Sequence, residues 1–166
     1  MLDFSNIKII VSEIDGVITD GSSFIDHMNF TLFKKYCNMD LDIVNELKKH
    51  FTFVFLSSDS SVSYNIMRYR NIPTYFSNNK EDKLDILKHK IMPRYGFGPV
   101  DLLYIGNRLD DVGCMKYAEI KLTTNNALNE VMSIANYVFE TPPGSGVLCE
   151  LYDILSVEVA NRIRNN

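Results

Sequence analysis

Ile7-Lys8-Ile9-Ile10-Val11-Ser12-Glu13-Ile14-Asp15-Gly16-Val17-Ile18-Thr19-Asp20-Gly21 is the stretch whose reading decides the fold. Its opening run, Ile7 to Val11, is apolar and β-branched, interrupted only by Lys8. Three branched residues in succession, Ile9 to Val11, suit a strand buried on both faces, as in a parallel sheet covered by helices on either side. The run ends in two carboxylates, Glu13 and Asp15, spaced i, i+2 and followed by a glycine turn. A strand that delivers acidic groups to its C-terminal end places them where open α/β sheets bind ligands.

Working outward, strand and helix signals alternate. Phe51 to Leu56 and Val100 to Ile105, the latter ending in Gly106, read as further strands. Thr74 to Phe76, Ile120 to Thr123 and Tyr137 to Phe139 are shorter ones. Between them, Ile43, Val44 and Leu47 share a helical face, as do Leu84, Leu87 and Ile91. Asp110 to Tyr117 and Ala127 to Ala135 are two more helices, and a last one starts after Gly146 and runs through Leu151 and Leu155 to Ile163. This alternation predicts a parallel sheet with right-handed crossovers. One segment breaks it. Ser22 to Tyr36 carries two aromatic-rich runs around Asp26-His27-Met28-Asn29, which reads as a β-hairpin. A two-stranded ribbon is marginal alone, so Phe24, Ile25, Phe30, Leu32 and Phe33 need cover, from the domain itself or from other subunits.

Composition bounds the rest. The 166 residues make about one domain, 1–166, with the hairpin flap at about 22–36. With 46% hydrophobic and 23% charged residues the chain is globular rather than disordered. The net charge of −4 and the lack of a Lys/Arg cluster argue against a nucleic-acid partner; Lys88, Lys90 and Arg94 read as the solvated side and end of a helix. Cys37, Cys114 and Cys149 have neither paired nor metal-type spacing, which fits packed thiols in a reducing compartment. No apolar run approaches the roughly 20 residues that span a bilayer, and the first residues lack a signal-peptide pattern, so no membrane is expected and a cytoplasmic protein is. His27, His50 and His89 read as solvated, and Tyr64, Met67 and Tyr69 as packing residues.

The opening stretch resembles the first motif of the haloacid dehalogenase (HAD) phosphatases, Asp-x-Asp-Gly-[Val/Thr], with Glu13 at the position of the nucleophile. The other motifs of that family follow in order. Asp15 matches the acid/base, and Ser57, closing Phe55-Leu56-Ser57, matches the phosphate-binding hydroxyl. Lys83, in Glu81-Asp82-Lys83-Leu84, matches the charge-neutralising lysine, and Gly106-Asn107-Arg108-Leu109-Asp110-Asp111 matches the metal turn, with Asp111 on its final Asp. The resemblance implies a three-layer α/β/α, HAD-like (Rossmann-like) fold whose site works by positioning and electrostatic stabilisation of phosphoryl transfer. It implies metal ligation by Glu13, Asp15, Asn107 and Asp111, and phosphate binding by Ser57 and Lys83.

The finer resemblance, over residues 5–156, is to the 3-deoxy-octulosonate 8-phosphate phosphatases and related phosphatases of nine-carbon keto sugars. That branch has no cap domain and carries a hairpin after motif one, matched by Ser22 to Tyr36. It has an Asp beyond the hairpin, matched by Asp40, and a glycine-rich turn before the last helix, matched by Thr141 to Val147. Its members are homotetramers joined through the hairpins, which is the partner expected here. The departures fall on the site. Glu13 is one methylene longer than the family's nucleophile, Asn107 replaces a metal-binding Asp, and Arg108 replaces a second Asp. Asp59, Met39 and Ser145 stand where basic residues are usual. One anionic ligand is thereby lost, so weak Mg²⁺ binding is expected, with Asp110 a substitute ligand if the turn shifts by one residue. The C-terminal domain of animal CMP-sialate synthetases is similar in its Gly-Asn turn and in lacking the motif-one Asp. The resemblance leaves three functions open: a weak or inactive phosphatase serving as an oligomeric or regulatory module, an active Mg²⁺-dependent phosphatase of a 3-deoxy-octulosonate 8-phosphate or nonulosonate 9-phosphate, and a sugar-phosphate binder that has lost catalysis.

Overall fold

The structure, a computed structural model, describes residues 2–59, 62–77 and 82–165. Glu81, quoted above beside Lys83, lies outside them. Six strands form one parallel sheet: β1 (Ile9–Ser12), β4 (Thr52–Ser57), β5 (Thr74–Phe76), β6 (Leu102–Ile105), β7 (Ile120–Thr124) and β8 (Tyr137–Phe139). Their order is β5-β4-β1-β6-β7-β8, every neighbouring pair parallel. The chain winds outward from β1 in one direction and then, after β5, crosses back to β6 on β1's other side. That reversal leaves a crevice beyond the C-terminal ends of β1 and β6, the place where doubly wound sheets put their ligands.

The alternation of strand side chains explains the three layers. Ile10, Phe53, Phe55, Leu103 and Ile105 point into one core, covered by α1 (Asn38–Leu47), α2 (Ser63–Tyr69), α7 (Val147–Ile154) and α8 (Ser156–Asn165). Ile9, Val11, Val54, Leu56, Leu102 and Tyr104 point into the other. There they meet a helix running from α3 (Lys83–Ile86) through a π-helical turn (Leu87–Ile91) into α4 (Met92–Tyr95), with α5 (Val112–Tyr117) and α6 (Asn129–Ile134). The π turn has a local cause. Pro93 has no N–H, and its ring would press on the carbonyl four residues back in a regular helix; the wider turn, with the Met92 amide donating to the Leu87 carbonyl, gives it room.

Three expectations change. The last helix is two, α7 and α8, broken at Leu155, and the second lays Arg162 against the Phe51 ring, 4.3 Å from guanidinium carbon to centroid. Residues 63–69, without a periodic signal, form α2. Tyr69, expected to pack, is 92% exposed, while Met67 on the same helix is buried.

The hairpin is present as β2 (Thr19–Ile25) and β3 (Thr31–Tyr36), an antiparallel pair apart from the main sheet with two register irregularities. Its apolar side chains are not covered: Phe24, Ile25, Phe30 and Phe33 are each more than half exposed. Cys37, Cys114 and Cys149 are free thiols. No described helix is long and apolar enough to cross a membrane.

Candidate active site

β1 ends at Ser12, and the next backbone amide, of Glu13, donates to the Ile105 carbonyl at the end of β6, 2.9 Å away. This pins the acidic turn at the sheet's switch point. The Glu13 carboxylate turns inward and is 1% exposed. Oε1 accepts the amides of Ile14 at 2.7 Å and Asp15 at 3.4 Å, and Oε2 accepts the Lys83 ammonium. Ser57, the last residue of β4, is fully buried with its hydroxyl beside the same carboxylate. Lys83 is the first residue of α3; Asp82 caps that helix by accepting the Asp85 amide at 2.8 Å, which fixes where Lys83 starts from.

Lys83 is shared. Besides Glu13 it reaches Asp111 at 2.7 Å and Asp110 at 3.3 Å. Burial pulls its basicity down, but Glu13, Asp111 and Asp110 outweigh it and hold the ammonium above its ordinary range. Burial acts the other way on Glu13, pushing its carboxyl up to about 7 against the pull of Lys83.

Asp111 organises the turn after β6. Oδ1 accepts Lys83 and, at 2.8 Å, the Tyr104 hydroxyl; Oδ2 accepts the amides of Asn107 and Arg108, both at 3.0 Å. Four donors fill the roughly four acceptor positions of a carboxylate. The direct metal ligation expected of Asp111 therefore has no lone pair left to supply it. Gly106 is required here, because a side chain on it would collide with Asp111.

Asp15 lies outside this knot. Lys34, from hairpin strand β3, donates to Asp15 Oδ2 at 2.7 Å and pairs with Asp59 at 2.6 Å; the Thr19 hydroxyl donates to Asp15 Oδ1 at 3.1 Å. The Lys34 side chain is wholly shielded. Desolvation lowers its basicity, and the hydrogen bonds it donates to Asp15 and Asp59, with their negative charges, more than reverse that. Asp15 and Asn107 line a cleft of about 610 Å³ with Gly16, Arg108, Asp110 and Leu128. Asn107 packs so closely on Gly16, which has a positive φ of 77°, that any side chain there would strike the amide. Arg108 is 63% exposed at the rim, 3.9 Å from Asp110. Asp110 in turn accepts the Ser58 hydroxyl, tying the loop after β4 to the turn after β6.

The structure thus gathers Glu13, Ser57, Lys83 and Asp111 in one buried cluster and sets Asp15 and Asn107 beside it at the cleft. Sequence reasoning missed Lys34, Ser58 and Tyr104. Lys34 had a weak signal, a charge in an aromatic strand; Tyr104 had none, being one apolar-looking residue in a buried run.

A divalent cation can be tested against the donor set. Asn107 Oδ1 is buried without a hydrogen-bond partner, and the Asp15 carbonyl accepts none among the described residues. Those two oxygens suit a hard cation. The carboxylates do not: Glu13 and Asp111 are committed to Lys83 and backbone amides, and among the described residues no three His, Cys, Asp or Glu side chains form a metal-holding group. The Lys83 ammonium already occupies the space between these carboxylates and offsets part of the charge that would attract a metal.

No protein-family model matches the chain, and no curated protein does. Solved structures match closely in shape. A protein described as a HAD family hydrolase, from Streptomyces avermitilis, is 25% identical, with a TM-score of 0.83 over 96% of this chain and 91% of that one. The 3-deoxy-D-manno-octulosonate 8-phosphate phosphatase of Moraxella catarrhalis, solved with magnesium, phosphate and KDO, is 20% identical, with a TM-score of 0.81 over 92% and 88%. The cobalt-bound phosphatase of that type from Haemophilus influenzae is 22% identical, with a TM-score of 0.80 over 92% and 90%.

Proposed function

We propose that this chain, which has the fold of the HAD-family hydrolases, is a relative of the keto-deoxy-sugar phosphate phosphatases with a degenerate active site. In this reading it turns over phosphomonoesters weakly or not at all and serves as an oligomeric, regulatory module. The observation that carries the reading is the state of Glu13. A nucleophile must present a free lone pair to phosphorus. Here the carboxylate at that position is buried, its oxygens accept two amides and an ammonium, and it is one methylene too long. A misplacement of about 1 Å can cost roughly a hundredfold in rate. Asn107, in place of an Asp, removes a further negative charge from the cleft. Asp111 acts as the builder of its turn.

The orphaned Asn107 oxygen favours a second reading, an active Mg²⁺-dependent phosphatase of a 3-deoxy-octulosonate 8-phosphate or nonulosonate 9-phosphate. Glu13 would be the nucleophile, Asp15 the acid/base, Ser57 and Lys83 the phosphate ligands, and Glu13, Asn107 and the Asp15 carbonyl the metal ligands. Magnesium, when bound, neutralises charge on the transferring phosphoryl group. Mg²⁺-dependent phosphate release from a panel of sugar phosphates separates the readings, with wild type run beside Glu13→Asp/Asn107→Asp. Turnover in the double variant alone supports the degenerate site. Turnover in wild type that Glu13→Gln abolishes establishes the active one. Thermal melts of each variant show that the fold is retained.

The oligomer proposed is a homotetramer assembled through the hairpins. Its support is the exposed row of Phe24, Phe30 and Phe33, since water-facing aromatics at this density mark an association surface. Light scattering at micromolar concentration should give four chains, and Phe24→Asp/Phe33→Asp should give fewer; a wild-type monomer contradicts the assembly.

A further inference from the structure

A second cleft, of about 400 Å³, lies beside β5 and, among the described residues, shares no lining residue with the candidate active site. Its volume falls in the range of about 300–1,000 Å³ typical of small-molecule sites. Arg68 of α2 and Arg94 of α4 both line it, and among the described residues no Asp or Glu does. Among the described residues neither of these guanidiniums makes an ion pair, whereas Arg70, Arg108 and Arg162 each face a carboxylate. In a chain of net charge −4, two uncompensated arginines in one concavity are a local reversal of sign.

The remaining walls are aromatic. Tyr64, Tyr75 and Tyr95 line the same cleft, with Pro73. Tyr64 is 49% exposed, yet its ring rests against Phe76 at 6.1 Å between centroids, which restrains its face. The Arg94 guanidinium sits 6.0 Å from the Tyr95 ring. Two guanidiniums lining one cleft suit a phosphate dianion, and tyrosine faces suit a planar ring. The cleft has room for both on one small molecule.

We propose that this cleft is a binding site for a nucleoside monophosphate, with Arg68 and Arg94 on the phosphate and the tyrosines flanking the base. The site is independent of the reading of the active site, since no described residue is common to the two. The test is a titration of the ¹⁵N-labelled full chain with AMP and with UMP, followed by amide shifts. Adenosine and inorganic phosphate, run separately, carry the ring and the charge alone. Saturable shifts should cluster on residues 68–75 and 94–95. Either nucleotide should bind about tenfold tighter than adenosine or phosphate, and Arg68→Gln and Arg94→Gln should each weaken it about tenfold. Both arginines are exposed, so the variants keep the fold, and an unchanged melting temperature verifies it. Shifts centred on Gly16 and Asn107, phosphate binding as tightly as AMP, unchanged affinity in the double Gln variant, or no shift with either nucleotide at about millimolar concentration would each overturn the proposal.

Discussion

Lys83 and Lys34 are both ammonium groups shut away from water, and each stands between carboxylates, but they come from opposite parts of the molecule. Lys83 rises from the start of α3 into a knot whose two nearer partners, Glu13 and Asp111, are as buried as it is, with the more open Asp110 at 3.3 Å. Lys34 hangs from a hairpin whose aromatic residues face solvent, and its partners are more open: Asp15 is 16% exposed and Asp59 38%. The contrast separates two kinds of electrostatic control. A charge locked among sheet ends and a helix start is part of the fold. A charge delivered by a flap reaches the site only while the flap stays in place, so whatever holds the hairpin also decides what Asp15 can do.

The largest effect should come from breaking the first. Lys83→Met leaves Glu13 and Asp111 buried without their shared cation, and loss of one partner of a buried ion pair costs about 3–5 kcal/mol. Urea unfolding should show that loss; a change below about 1 kcal/mol would mean the knot is not a stability element. Lys34→Met should cost less, about 1–2 kcal/mol, because its partners keep access to water. Hydrogen exchange should rise in residues 19–36 and stay unchanged in β1 and β6. Equal losses in the two variants would mean that the flap lysine is as much a part of the fold as Lys83.

Acidity sharpens the comparison. Glu13 has its carboxyl pushed up from 4.5 to about 7, so the folded chain holds a proton there that the unfolded chain has released. Where the folded state binds more protons, stability falls as pH rises. The fall attributable to Glu13 should therefore run between about pH 4.5 and 7 and vanish in Glu13→Gln. Lys83, held above its ordinary range, adds stability that is intact at neutral pH and fades only in strong alkali, as pH passes its raised value. Comparing urea midpoints at pH 5 and pH 7 checks the first claim. The smallest effect is Tyr104→Phe, which removes one donor to Asp111 and should cost about 1 kcal/mol.

The layers of this fold were legible because burial on both faces leaves a plain trace. Ile9-Ile10-Val11 and Phe53-Val54-Phe55 can only be central strands, and each lies within a residue or two of where its pattern put it. The hairpin was legible from its aromatic alternation and turn. The break between α7 and α8 was not, because Leu151, Leu155 and Val159 keep one apolar face across it. Nor was α2, whose seven residues bury only Ser63 and Met67 and so show no periodic stripe.

At the site, order along the chain identified Glu13, Ser57, Lys83 and Asp111, and they do converge. The division of labour among carboxylates was not readable. Asp111 takes donors from Tyr104, Lys83 and two amides, a pattern set by backbone geometry that no residue type encodes. Lys34 was hidden for a related reason: its partners lie 19 and 25 positions away, on elements whose approach only the folded hairpin determines.

The most direct test of the account is whether the carboxylate at position 13 can be engaged as a nucleophile. Beryllofluoride with Mg²⁺ mimics a phosphorylated carboxylate, and its bound state can be followed by ¹⁹F NMR. The account predicts no bound signal for wild type and a bound signal for Glu13→Asp/Asn107→Asp. A Mg²⁺-dependent bound signal in wild type that disappears in Glu13→Gln would contradict it, and would make Glu13 a working nucleophile.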